Sequence, residues 1–555
     1  MFPLKVPFLT PIFALSLFAG EVQAQLPSPP VPPENPITEE KRILGKLLFW
    51  EEQLSSSNNV ACGTCHRPEA GGADPRDGTH PGFNGIYGDP DDVLGSEGIR
   101  YSGLVNDFQP EPTFGREVQV TPRTSPSVFT ASYHAELFWD GRASSTFTVP
   151  DTGEVAILTG GALESQSLGP ILSTVEMGHE GRGWAQVTQK LEAARPMALA
   201  TNLPPDVAAA LINGETYPDL FAAAFGDPTI NAKRIAFAIA TYERTLVPDQ
   251  TPWDLYEQGQ TSALTPSQAN GLSLFLDQAR CFLCHAPPLF SDDEYHNLGN
   301  RPYFEDIGRR NVTGFFSDRG KFKTPSLRNV DLRTRYFHNG QNGGPNTSPG
   351  FGGGPLGQVV RFYFFGGGNF DENLDPEILS LNATGGVTPQ HMQDVRDFIK
   401  NGLTDPRVEA AQFPFDRPTL YSERTDDGIQ VLGAGDPGSG GLTPEVLLEV
   451  APVVGNNEFR VGIYDALGGA PAFLRLGMVG AQSAPSFNPM SRWTSPAITL
   501  EGAGGGAGAG YGTWHGPLRS SPGMIGRRFD LQWLVLDPGA QGTLASSQTV
   551  RVTLF

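Results

Sequence analysis

Positive charge is in short supply in this chain: 39 lysines and arginines face 60 aspartates and glutamates, for a formal charge of −21. A nucleic-acid partner is excluded on that count, because phosphate binding needs a positive face. An acidic surface suits a basic protein partner, and equally keeps an exported protein soluble. Long hydrophobic runs are also missing beyond the N-terminus, which predicts no membrane span in the mature form. The last 125 or so residues hold no cysteine and one histidine, His515, so no side-chain chemistry is expected there. Glycine (67) and proline (49) are plentiful but short of the level that signals disorder, which predicts ordered domains with long loops. A length of 555 residues implies several domains.

The N-terminus carries one charge at Lys5, an apolar run through Phe18 and the small-residue pattern Val22-Gln23-Ala24. This reads as a signal peptide over 1–24, implying a periplasmic or secreted protein. Pro7 and Pro11 break the apolar stretch, against an uncleaved anchor. Residues 25–36 form a proline-rich linker, expected to be an extended spacer.

Folding is predicted to begin after that linker. Thr38 is placed as an N-cap, Glu39 and Glu40 favour the helix dipole, and Ile43, Leu44, Leu47 and Leu48 share one face. A parallel arrangement opens the second half: Thr265-Pro266-Ser267-Gln268 combines a capping box with proline at the first helical position, followed by Leu272, Phe275 and Leu276. Thr388-Pro389 starts another helix with Met392, Val395, Phe398 and Ile399 on one face. Past residue 430 the pattern switches to period two, in Phe459, Val461, Ile463, in Phe529, Leu531, Trp533, Val535 and in Val550, Val552, Leu554. The expected fold is mainly α, with helical domains at 37–250 and 251–420, then an antiparallel, β-sandwich-like domain at 430–555. The glycine-alanine run 502–510 reads as a flexible loop.

All four cysteines fall in two copies of one pattern, Cys62-Gly63-Thr64-Cys65-His66 and Cys281-Phe282-Leu283-Cys284-His285. Two thiols followed at once by a histidine is the arrangement for covalent c-type haem, with thioether bonds to the vinyl groups and the histidine on the iron. Two disulfides or a zinc site would leave the adjacent histidines unexplained. The two helical domains thus become cytochrome c-like haem domains carrying two covalent haem c groups.

A further series of motifs follows in order: Arg123-Thr124-Ser125-Pro126, Phe138-Trp139-Asp140-Gly141-Arg142, Gly169-Pro170-Ile171, Glu176-Met177-Gly178, the run from Phe322 to Asn329, and Tyr336-Phe337-His338-Asn339-Gly340. Over about residues 37–420 the chain resembles the bacterial dihaem cytochrome c peroxidase and MauG family. The resemblance implies peroxide cleavage at the first haem, with Gln166 and Glu176 as its distal pair and Trp139 between the two haems. A carboxylate can shuttle a proton between peroxide oxygens while an amide orients the substrate. Residues 146–161 look like an insertion that would alter the rim of that pocket.

For the sixth ligand of the second haem, no methionine occurs between His285 and Met392. Tyr363 stands at the expected place, as in the MauG-like subgroup, with His296 or His338 as the alternatives. Phenolate is a hard, anionic donor that lowers the reduction potential. On the first haem the resemblance leaves open whether His80 is a ligand. The family also binds calcium between its haem domains; the matching positions are Thr124, Arg333 and Arg335, where the family usually has asparagine, threonine and proline, and carbonyl oxygens are the remaining donors. The expectation is a periplasmic dihaem peroxidase that reduces hydrogen peroxide with electrons from a small redox protein or other donor. The alternatives are MauG-like oxidation of a protein substrate, a non-enzymatic dihaem carrier, or a binding role for the β domain.

Overall fold

The computed structural model describes residues 26–342, 354–368, 373–378, 387–425, 428–478, 492–519 and 521–555. The expected signal peptide lies outside the described residues. Among the described residues no helix is long and apolar enough to cross a membrane.

The first helix, Glu39–Phe49, begins where its cap places it, with the Thr38 hydroxyl accepting from the Lys41 amide at 3.3 Å. Its buried face, Leu44, Leu47 and Leu48, lies on the helix Ala232–Glu243, while Ile43 sits at the core's edge. The crossing is close because of Gly45: a Cβ there would stand 1.9 Å from the Ala238 carbonyl oxygen. The second half repeats the device. The helix Pro266–Leu276 starts at the reciprocal Thr265 and Gln268 cap and crosses the helix Pro389–Asp397 at Gly271, where a Cβ would meet the Asp394 carbonyl oxygen at 2.0 Å. Leu272 and Phe275 are buried, but Leu276, expected on the same stripe, is 43% exposed. At 100° per residue it lies beyond the edge of the face that Leu272 and Phe275 define.

The C-terminal region is built from two antiparallel sheets. One has the order Arg492–Thr494, Pro471–Met478, Arg528–Leu536, Thr549–Thr553, Ile429–Leu432, with two short strands alongside. The other has the order Gly510–His515, Arg460–Ala466, Glu445–Leu447. Their inner faces share one core of Val461, Ile463, Leu474, Leu531, Trp533 and Val550, and the Trp533 indole donates across it to the Gly462 carbonyl at 2.9 Å.

Helix accounts for 29% and strand for 17%, with the expected antiparallel sheets at the C-terminal end. Two expectations need correction. The proline-rich segment does not stand off as a spacer over its described part. Asn35 is fully buried and donates to the Glu164 carboxylate at 2.9 Å and the Phe237 carbonyl at 3.0 Å, which ties the segment to the domain beneath it. The 502–510 run is a built turn, with Gly468 donating to Gly506 at 3.0 Å and Gly505 to Gly468 at 2.8 Å. Gly502 has φ +96°, and a Cβ would lie 1.9 Å from the Ala509 carbonyl oxygen, so glycine there serves geometry.

The β region is locked to the first helical domain. Phe108, from a loop of that domain, is part of the β core, and the buried Arg460 guanidinium lies 4.0 Å over its ring while donating to the Asn106 carbonyl at 2.5 Å. Ala451 also donates to the Ser57 carbonyl at 3.3 Å, just before the first cysteine pair.

Candidate active site

Both cysteine pairs close tight turns that aim the next histidine inward. His66 follows the short helix Cys62–Cys65, its amide donating to the Cys62 carbonyl at 3.1 Å, and its ring Nδ1 lies 3.0 Å from the Gly72 carbonyl. His285 follows the turn Cys281–Leu283 in the same way, with an amide bond to Cys281 at 2.8 Å and Nδ1 2.9 Å from the Phe290 carbonyl. A carbonyl can only accept, so each Nδ1 carries the proton and each Nε2 keeps its lone pair for a metal. Burial lowers both imidazole pKa values, which favours that neutral form.

None of the four cysteines is in a disulfide. Burial pushes the thiols of Cys62 and Cys281 up to about 12, which penalises a thiolate metal ligand and suits an uncharged thioether sulfur. Each pair opens onto a cavity. The residues present therefore fit two covalent haems, held by Cys62, Cys65 and His66 and by Cys281, Cys284 and His285.

The first cavity, about 790 Å³, is lined by Cys65, His66, Trp139, Arg142, Gln166 and Glu176. Gln166 comes from the helix Ala162–Ser167 and Glu176 from the loop after the helix Gly169–Leu172. That loop is pinned from several sides: Ser56 donates to the Met177 carbonyl at 2.8 Å, the Gln119 amide to Thr174 at 2.7 Å and Ile99 to Val175 at 3.4 Å. Burial raises the Glu176 pKa against the pull of Ser173 and Arg142. A carboxyl poised this way can both give and take a proton.

The inserted stretch does not shape this rim. Phe147–Thr148 and Val155–Ile157 form a small hairpin whose Phe147 and Ile157 are buried in the domain core, and nothing from 146–161 lines either cavity. His80 lines the cavity, but its Nδ1 accepts from the Gly82 amide at 3.2 Å. That bond puts the ring proton on Nε2 and leaves no free lone pair for iron in this arrangement.

Sequence reasoning missed Glu243, which lines the same cavity from the end of the helix Ala232–Glu243. It is 4% exposed, its Oε2 has no hydrogen-bond partner, and burial pushes the carboxyl up to about 8 despite Arg244. The available signal was an acid closing a helix whose stretch 235–240 is wholly apolar. His134, also missed, lines the cavity and is held through Nδ1 by Asp293 at 2.7 Å.

The second cavity, about 180 Å³, is lined by Cys281, Cys284, His285, Phe337, His338 and Tyr363 among others, with no methionine. Tyr363 projects from the helix Gly354–Phe364, and burial first, then Cys284 and Cys281, raise its phenol pKa. His296 is not available as a ligand. Its Nδ1 lies 2.6 Å from Asp375 and its Nε2 2.9 Å from Asp292, and its pKa is raised by Asp292, the Cys284 sulfur and Asp375. With an uncharged thioether sulfur the two carboxylates still hold both ring protons. His338 instead stacks on Phe322 at 3.5 Å and borders both cavities, its pKa lowered to about 3 by burial.

Trp139 also borders both cavities. It is 6% exposed, its indole N–H donates to the Thr124 carbonyl at 2.8 Å, and its own carbonyl accepts from Lys323 at 2.8 Å. Thr124 therefore has its carbonyl already engaged. Arg333 and Arg335 bring two buried guanidinium groups to the same seam. Calcium needs six to eight oxygen ligands, whereas here the local carbonyls accept N–H bonds beside two fixed positive charges. These residues do not fit a calcium ion.

A family model described as di-haem cytochrome c peroxidase matches residues 39–262. The methylamine utilization protein MauG of Methylophilus methylotrophus is 29% identical over 322 residues, 57% of this chain and 73% of that protein. MauG of Methylorubrum extorquens is 30% identical over 319 residues, 57% of this chain and 69% of that protein. Cytochrome c551 peroxidase of Pseudomonas aeruginosa is 31% identical over 324 residues, 55% of this chain and 69% of that protein. With the duplicated haem-attachment turns and the tryptophan shared by their cavities, these matches make the chain a member of the dihaem cytochrome c peroxidase and MauG family.

Proposed function

We propose that this dihaem peroxidase reduces hydrogen peroxide in its first cavity and passes oxidising equivalents through Trp139 toward the second. The observation that carries the reading is that one cavity gathers His66, Gln166, Glu176 and Trp139, while Trp139 also borders the cavity of His285 and Tyr363. When bound, the haems supply the redox-active irons that exchange electrons with peroxide. Glu176 moves a proton from the near to the far oxygen of the substrate, so that the O–O bond breaks with water as the leaving group. Gln166 orients the peroxide by hydrogen bonding, and Arg142 adds a positive charge to the cavity. Two electrons and two further protons complete the reduction to water; the electrons come from a small redox protein or another donor. Tyr363, through its oxygen, and His285 are the residues that would hold the second iron.

The tyrosine favours a second reading, in which peroxide is the oxidant and the side chain of another protein is the substrate. An anionic oxygen donor stabilises oxidised iron and disfavours electron entry at high potential. A simple electron carrier gains nothing from a carboxyl and an amide, Glu176 and Gln166, on the wall of the cavity that holds His66. Export to the periplasm or beyond is part of the proposal, since covalent haem c is matured outside the cytoplasm. In the test, Glu176→Gln is matured in a haem-competent host and both haems are counted by mass spectrometry. Peroxide consumption should then fall by about 10²-fold or more with both haems retained; unchanged turnover would remove Glu176 from the reaction.

A further inference from the structure

We propose that Arg333 and Arg335 act as a built-in cation at the seam between the two haem domains, taking the place of a bound divalent ion, and that Arg333 thereby positions the Trp139 indole. Both side chains come from the second domain and are 8% exposed. The Arg335 guanidinium reaches into the first domain, donating to the carbonyls of Gly78 at 2.8 Å and Gly95 at 3.1 Å and to the Asp77 carboxylate at 2.8 Å. Arg333 donates to the Ser125 carbonyl at 3.0 Å and to the Arg335 carbonyl at 3.3 Å. Two positive groups thus hold carbonyl oxygens from separate stretches of the first domain and one from the second. Gathering carbonyl dipoles around positive charge is what a hard cation does in such a place.

The consequence for Trp139 runs through one short segment. Ser125, gripped by Arg333, follows Thr124, whose carbonyl receives the indole N–H at 2.8 Å. Thr124 is fixed again by its amide, 2.7 Å from the His338 carbonyl, and by its hydroxyl, 2.8 Å from the Phe337 carbonyl. Arg333 touches neither cavity, so it is a positioning residue. A divalent ion added here would meet donors already bonded to N–H groups and the repulsion of two guanidinium charges. The clamp as such stands on these contacts; only the electronic importance of Trp139 rests on the function proposed above.

The test uses the full-length holoprotein. Elemental analysis after EDTA dialysis should find calcium well below stoichiometric, and neither EDTA nor added calcium should move the melting temperature or the two haem spectra. Stoichiometric calcium whose removal lowers the melting temperature would overturn the proposal. Hydrogen–deuterium exchange then reads the clamp directly. Arg335→Gln should speed exchange in 78–95, and Arg333→Gln at 124 and 125, by roughly tenfold or more with both haems attached, and Arg333→Lys should restore part of the protection. Exchange that stays at the wild-type rate in both segments would also sink it. Neither readout requires peroxide turnover, so failure of the peroxidase reading would be seen separately.

Discussion

Lys190 of the first haem domain and Glu458 of the β region form an ion pair at 3.1 Å across their junction. Lys190 also donates to the Ser55 carbonyl at 2.6 Å, seven residues before the first haem-attachment cysteine, Cys62. Burial lowers the lysine pKa to about 8, so the ammonium depends on its carboxylate partner. Replacing Glu458 by alanine strands a buried cation, which typically costs about 3–5 kcal/mol. Thermal unfolding should show the loss over the haem domain as well as the β strands. A transition confined to the β region, with the haem domain melting as in wild type, would show that the two parts are uncoupled.

The same junction should weaken in acid. His179, whose ring Nδ1 lies 2.8 Å from the Ser56 hydroxyl, has its pKa lowered from 6.5 to about 4, by burial first and then by Arg182. Between those values the unfolded chain binds more protons than the folded one, so this contribution is present above about 6.5 and is lost as pH falls toward about 4. Glu458, with its lowered pKa, acts in the same direction below the ordinary glutamate range. Chemical denaturation from pH 7 to 4 should show His179→Gln gaining stability relative to the wild type as pH falls through that window. Identical slopes in the two proteins would remove His179 as the sensor.

Glu243 should titrate within reach of experiment. With a folded pKa raised to about 8, it is protonated at neutral pH, and holding it inside becomes costly as pH rises through that value. An infrared carboxyl band that disappears near pH 8 and is missing in Glu243→Gln would identify it. If the band persists in the variant, the protonated acid lies elsewhere.

Tyr363→Phe should leave both haems attached and change the low-temperature EPR signal of the second haem only. Tyr363→Met should raise that haem's potential by a fraction of the roughly 0.8 V that axial ligands span. An unaltered signal and potential in both variants would place Tyr363 in the core without a bond to iron.

Much of the haem chemistry was legible because its cues are local. A pair of cysteines with a following histidine must form a tight turn whatever surrounds it, and the caps at Thr38, Thr265 and Thr388 are settled within one turn of helix. Period two likewise exposed the inward side chains of the β core, from Val461 to Val552. Leu276, the burial of Asn35 and the hairpin at 146–161 were not legible, since each depends on which distant surface lies against it. The capture of Phe108 by strands more than three hundred residues later has no local signal at all.

By itself the sequence determined the two Cys-Cys-His turns that fit a covalent haem and where helices and strands begin, because those outcomes depend on neighbours along the chain. The tertiary structure decided that Glu243 faces the first cavity, that His296 is spent on two carboxylates, and that Arg333 and Arg335 fill the domain seam. The physical reason is burial. A side chain's charge, protonation and freedom to bind follow from the solvent it loses and the dipoles it meets, and both are assembled from residues far apart in the chain.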